Sequence, residues 1–107
     1  MYRIDDIPVG RKNAISRNEL ARKWGVSDRI ARRYVADLRT IDDGTNYVIV
    51  SVSRFSGYCR TNDVQEIRWF IAEMTKRIRN IVKAIKVART VADRLEKQHQ
   101  HGGRLAV

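Results

Sequence analysis

The sequence predicts a mainly α fold with a small β-hairpin, followed by a long C-terminal helix. Three observations carry this. Two short stretches with helix caps and helical apolar spacing fill residues 16–40, with Gly25-Val26-Ser27 between them. Residues 47–53 (YVIVSVS) are rich in β-branched side chains and precede a Gly-containing tip. From Ile67 onward, apolar residues recur at steps of four and three without a slip.

The first helix opens at Ser16-Arg17-Asn18-Glu19, a capping box in which serine and glutamate each satisfy the other's backbone amide. Leu20, Ala21 and Trp24 share one face, and Gly25 stops the helix. Ser27 is the next N-cap, with Asp28 in the first turn beside the positive helix end. This second helix is expected over residues 28–40. Ala31, Val35 and Leu38, extended by Ile41, form its apolar stripe, with Arg29, Arg32, Arg33 and Ala36 on the other side. Asp42-Asp43-Gly44 is a turn. Residues 47–53 and 58–60 form the hairpin, with its tip at Arg54-Phe55-Ser56-Gly57. Either Val48/Val50/Val52 or Tyr47/Ile49 would serve as the buried face. Residues 1–14, interrupted by Pro8 and Gly10, read as an arm that is poorly ordered or only lightly docked.

Composition narrows the function. The 107 residues make one domain's worth of chain, and 43% hydrophobic with 32% charged residues is a folded composition. The net charge of +10 points to polyanions, nucleic acid first and anionic membrane second. Residues 1–62 hold twelve Lys/Arg against seven Asp/Glu, and residues 63–107 hold ten against five, so each part is +5. The excess therefore belongs to the folded parts and not to an appended basic tail. The longest apolar run is four residues, so no membrane span is expected, and no signal peptide is read at the start. A single cysteine, Cys59, excludes an intrachain disulfide and fits a reducing cytosol.

Residues 17–33, RNELARKWGVSDRIARR, resemble the helix-turn-helix of winged modules in biotin-repressor-like and deoxyribose-repressor-like bacterial regulators. Ile49-Val50-Ser51 and Gly57-Tyr58 resemble their wing. The segment is also similar to small winged-helix proteins of phage and mobile elements. The resemblance covers residues 15–60, under half the chain, and implies a winged helix-turn-helix over residues 15–61 that binds double-stranded DNA in a bacterial cytosol. The sequence departs from the family in lacking a full apolar helix before the capping box. The start of the third helix is expected to supply the missing packing surface.

The physical case for DNA stands beside that resemblance. A helix fits the major groove of B-DNA, and arginine donates two hydrogen bonds to guanine O6 and N7. Arg29, Arg32 and Arg33, with Ser27 and Asp28, occupy the N-terminal half of the second helix. Arg17, Asn18 and Lys23 are placed for backbone contacts, and Arg54 at the wing tip for a phosphate or the minor groove. An arginine-rich helix face is also often plain solvated charge. The rival from another class is a protein-interaction module, an inhibitor or adaptor that docks on a host protein partner.

The third helix is expected over residues 62–97, capped at Asn62 or Asp63, with a flexible tail over 98–107. Ile71, Ile78, Ile85 and Ala92 take heptad position a; Ile67, Met74, Ile81, Ala88 and Leu95 take position d. At 1.5 Å per residue the helix runs roughly 50 Å. A body of about 60 residues spans only about 25–30 Å. Part of the stripe must find another partner, and a homodimer through residues 77–95 is expected, with Ile78, Ile81, Ile85, Ala88, Ala92 and Leu95 as its contacts. Trp69 and Phe70 widen the apolar face at the start, as docking on the body would require. Further on, Arg77 opposite Val82 and Ala84 opposite Arg89 are not complementary charges, which argues against a simple parallel zipper and for an antiparallel or multi-helix contact.

Other signals are weak. His99 and His101 beside Gly102-Gly103 are a poor metal set, and Cys59 reads as a packed strand residue. There is no glycine-rich phosphate loop, zinc spacing or serine elbow, so neither an enzyme nor a cofactor is expected.

Overall fold

The computed structural model describes residues 2–52 and 57–102, with side chains described as far as residue 100. Residues 53–56, which include Arg54 and most of the expected hairpin tip, lie outside the described residues. So does the end of the expected tail, from residue 103 onward. The protein is mainly helical, with a small antiparallel sheet and a long C-terminal helix. After two single 3₁₀ turns, Ile4–Asp6 and Arg11–Asn13, come β1 (Ile15–Ser16), α1 (Arg17–Trp24) and α2 (Asp28–Leu38). The hairpin strands β2 (Val48–Val52) and β3 (Gly57–Thr61) follow, then α3 (Val64–Gly102). The chain forms two compact units that divide between Ile71 and Ala72. No helix among the described residues is long and apolar enough to cross a membrane.

The helix boundaries follow from local chemistry. The Ser16 hydroxyl accepts from the Glu19 amide at 3.1 Å and donates to the Glu19 carboxylate at 3.1 Å. The serine backbone is itself part of β1, so the glutamate meets the hydroxyl and not the expected amide. Gly25 sits at φ 67° and lets the chain leave α1 left-handed, a conformation costly to any residue with a Cβ. Ser27 caps α2 through the Ile30 amide at 3.2 Å. The second helix ends at Leu38, two residues before expectation, because Thr40 folds back on Asp37 through both its amide and its hydroxyl. Asp63 caps α3 by accepting from the Glu66 amide at 3.0 Å. Helix α3 continues to Gly102, past the expected end at residue 97, so the first residues of the expected tail are helical.

The sheet has the order β1-β3-β2, with both pairings antiparallel. The choice of buried face has a double answer, because both faces are covered. On one side Ile49 and Tyr58 pack with Leu20, Val35, Leu38 and Ile7. On the other, Val50, Val52 and Cys59 pack with Ala14, Val48 and Phe70. Successive strand residues alternate between faces, so one strand feeds two clusters.

The N-terminal arm corrects the sequence expectation. Ile7 is fully buried in the main cluster, with Tyr2 and Ile4 packed against it. Tyr2 stacks on Tyr34 at 3.9 Å and meets Trp24 edge-on at 5.9 Å. The Trp24 indole donates to Asp6 at 2.7 Å. Arg60 on β3 fastens the other half of the arm: its amide donates to the Pro8 carbonyl at 2.7 Å, and its Nε donates to the Ile7 carbonyl at 2.7 Å. The arm thus supplies the packing surface expected from the third helix. That helix contributes only in part, because Phe70 docks on the second cluster while Trp69 stands 57% exposed.

Candidate nucleic-acid interface

The candidate surface is the N-terminal half of α2, and its geometry starts from what α2 buries. Ala31, Val35 and Leu38 lie on the inner side, each under a tenth exposed, whereas Ile41, beyond the end of α2, leaves the expected stripe and is exposed. With 3.6 residues per turn, positions 29, 32, 33 and 36 turn outward. Arg29, Arg32, Arg33 and Ala36 are all exposed. Ala31 brings no bulk to the α1–α2 contact, and Gly25 sets the turn between the two helices.

Charge pairing divides the nine predicted contact residues. Asp28 is half-buried between two arginines: Arg17 Nε lies 3.4 Å from Asp28 Oδ1, and the Arg32 guanidinium lies 3.0 Å from Oδ2. Arg17 Nε and Asp28 Oδ1 are closed to solvent and make no well-aligned hydrogen bond, so charge attraction joins them. Asp28 therefore ties the start of α1 to the start of α2 and steadies Arg32 one turn away. The Lys23 ammonium lies 3.6 Å from Asp6, within the arm contact. Arg29 and Arg33 have no acidic partner among the described residues. Asn18 is exposed, and Ser27 is exposed but holds the cap. Arg54 lies outside the described residues.

Three titratable groups are displaced by their surroundings, and one of them, the Asp43 carboxyl in the turn before β2, is lowered by hydrogen bonds from the Thr45 hydroxyl and amide. Partial burial works to raise the Asp6 carboxyl, but the Trp24 indole, the Arg3 amide and the Lys23 ammonium together hold it below the ordinary carboxylate range. Burial, with Glu66 nearby, pushes the Cys59 thiol up. Cys59 is fully buried, which suits a packed strand residue and not a nucleophile. Among the described residues no group of three or more His, Cys, Asp or Glu side chains is placed to hold a metal ion.

Several structural residues were not visible in the sequence pattern. Arg39 donates to the Ile49 carbonyl at 3.2 Å and the Ser51 hydroxyl at 2.9 Å, with its guanidinium 4.8 Å from the Phe70 ring centre. It is thus a latch between α2, β2 and α3, and part of the basic count is spent inside the fold. The Asp28 pairing had one available signal: Asp28 and Arg32 are four apart on a helix. The pairing with Arg17 crosses two helices and had none.

The six predicted dimer contacts all lie on the exposed length of α3 beyond Ile71. Ile78 and Ile81 are 59% and 58% exposed, and Ile85 and Leu95 stand almost half exposed. Ala88 and Ala92 are exposed as well. Comparison with protein-family models, curated proteins and solved structures finds no match for this chain.

Proposed function

We propose that the protein is a sequence-specific, double-stranded DNA-binding protein of the winged helix-turn-helix type. It acts as a dimer, as a transcriptional regulator or another DNA-site factor. One observation carries the reading: three arginines, 29, 32 and 33, stand exposed on the leading half of a helix whose opposite side is buried. The three-residue turn between α1 and α2 and the β2–β3 hairpin behind them support the winged form. Arg29 and Arg33 carry charge that no acid among the described residues neutralises. Arg32, steadied by Asp28, is pre-positioned to present a fixed guanidinium to a base edge. Arg17 and Lys23 take a smaller part than their sequence positions imply, because each already has a carboxylate partner.

The test is duplex binding by fluorescence anisotropy across a salt series, for the wild type and for Arg32→Ala with Arg33→Ala. The wild type binds with affinity that falls steeply as salt rises, because neutralised phosphates release counterions. The double variant keeps its circular dichroism and thermal transition. It loses about 1–3 kcal/mol per base-reading arginine, or roughly one unit of salt slope per phosphate contact. Unchanged binding by the folded double variant removes α2 from the interface. No binding by the wild type at low salt replaces the DNA reading with the protein-interaction module.

A further inference from the structure

The dimer reading leaves the arrangement of its helices open, and α3 holds the information to set it. In a parallel pair each core layer joins a residue to its own copy. Ala88 and Ala92 are consecutive core positions, so a parallel pair has two successive alanine–alanine layers beside an otherwise isoleucine-rich seam. Such layers leave space that the helices cannot close without bending. The flanking positions give no compensation, since Arg77 faces Val82 and Ala84 faces Arg89 of the other chain.

An antiparallel pair joins position a of one helix to position d of the other. Centred on Lys83, it sets Ile81 against Ile85 of the partner subunit, Ile78 against Ala88 of the partner subunit and Met74 against Ala92 of the partner subunit. Each alanine then meets a long side chain, and no layer sets alanine against alanine. At the ends Ile71 meets Leu95 of the partner subunit, so the exposed stripe from 71 to 95 is covered throughout. On the flanks Val82 and Ala84 meet their own copies at the two-fold axis. Glu96 faces Arg68 of the partner subunit, an opposite-charge pair. A register one heptad toward the N-terminus sets Arg68 against Arg89 of the partner subunit, two like charges. One heptad toward the C-terminus leaves Ile71 and Met74 without a core partner.

We infer that a second copy of this chain covers α3 in antiparallel orientation, centred on Lys83, with Ile78 packed against the partner's Ala88. The occupant is a second copy because the stripe is complementary to itself read backward, as a closed two-fold interface requires. The two chains enter this pair at opposite ends. Their Ile71 residues lie 24 residues apart along it, roughly 36 Å at 1.5 Å per residue. That is of the same order as one turn of B-DNA.

This inference rests on the homodimer reading and is tested apart from DNA. Full-length Ile78→Cys and Ala88→Cys chains of distinguishable mass are mixed in a glutathione redox buffer. The native Cys59 is buried and stays out of the exchange, with wild type as the control. The inference expects a light-scattering mass of twice 12.4 kDa and a disulfide formed between the two variants well above the one-half of random pairing. A disulfide predominantly within each variant overturns the antiparallel arrangement and leaves the dimer standing. Predominant linkage of Ile78→Cys to Leu95→Cys overturns the register. A mass of one chain, or of four, overturns the second-copy assignment itself. If Ile78→Cys lowers helicity, Met74→Cys with Ala92→Cys gives the same reading one layer further out.

Discussion

The folded body before Ile71 and the helix beyond it treat apolar residues in opposite ways. In the body most large apolar side chains have an internal partner, with Val9, Ile41, Val64 and Trp69 standing exposed: two clusters fill the two faces of one sheet, and even the arm inserts Ile7. Along the later helix, isoleucines as large as those in the core stand about half exposed or more. Hydropathy does not distinguish the two regions; sequence separation does. The body brings residues 18 and 53 positions apart into hydrogen bonds, whereas a single helix meets only its own neighbours three and four away. Its apolar face is therefore left uncovered by the chain itself, while the body's exposed surface is marked by charge. Contiguous exposed apolar area of this kind marks an interaction site.

Four substitutions bear on this contrast. The largest effect is expected from Ile81→Asp. It places an unpaired carboxylate in the paired seam twice per dimer, at about 3 kcal/mol or more per copy. Light scattering should then report one chain, with the unfolding of the body unchanged; a persisting dimer would mean that another surface joins the copies. Next is Ile7→Ala. If the arm belongs to the core, the cost is about 2–5 kcal/mol in chemical denaturation. A loss within a few tenths would return the arm to a decorative role.

Gly25→Ala should cost about 1–2 kcal/mol through backbone strain alone, since no atom lies within 4 Å of an added Cβ. A neutral result would show the turn to be adjustable. Asp6→Asn tests the pH dependence. The Asp6 carboxyl is lowered in the fold, so its stabilisation is complete above the ordinary value of about 3.9 and is lost as pH falls through the lowered one. Denaturation midpoints measured against pH should therefore fall more steeply in acid for the wild type than for the variant. Parallel curves would exclude Asp6 as a contributor.

What the residues disclose in advance follows the same division. Caps at Ser16, Ser27 and Asp63, the stop at Gly25 and the heptads of α3 were legible because each is decided by residues within a turn or two. The outward arginines of α2 were legible for the same reason, since a buried stripe of Ala31, Val35 and Leu38 fixes which side remains. The two-residue β1 and the arm were not, because β1 pairs with Gly57 and Tyr58 and the arm is held by Arg60 and Trp24, all far along the chain. The role of Asp28 was half legible: one arginine partner sits four positions away, and the other sits on a different helix. Arg39 and Arg60 read as surplus charge, yet both hydrogen-bond to backbone carbonyls of the fold.

The most direct test of the central claim is selection by the full-length protein from a pool of random duplexes at moderate salt. If exposed Arg29, Arg32 and Arg33 read base edges, the retained sequences converge on a shared motif. Arg32→Ala with Arg33→Ala loses that motif while keeping some salt-sensitive affinity. A wild-type pool that stays random, or one that converges equally well with the double variant, contradicts α2 as a reader of DNA.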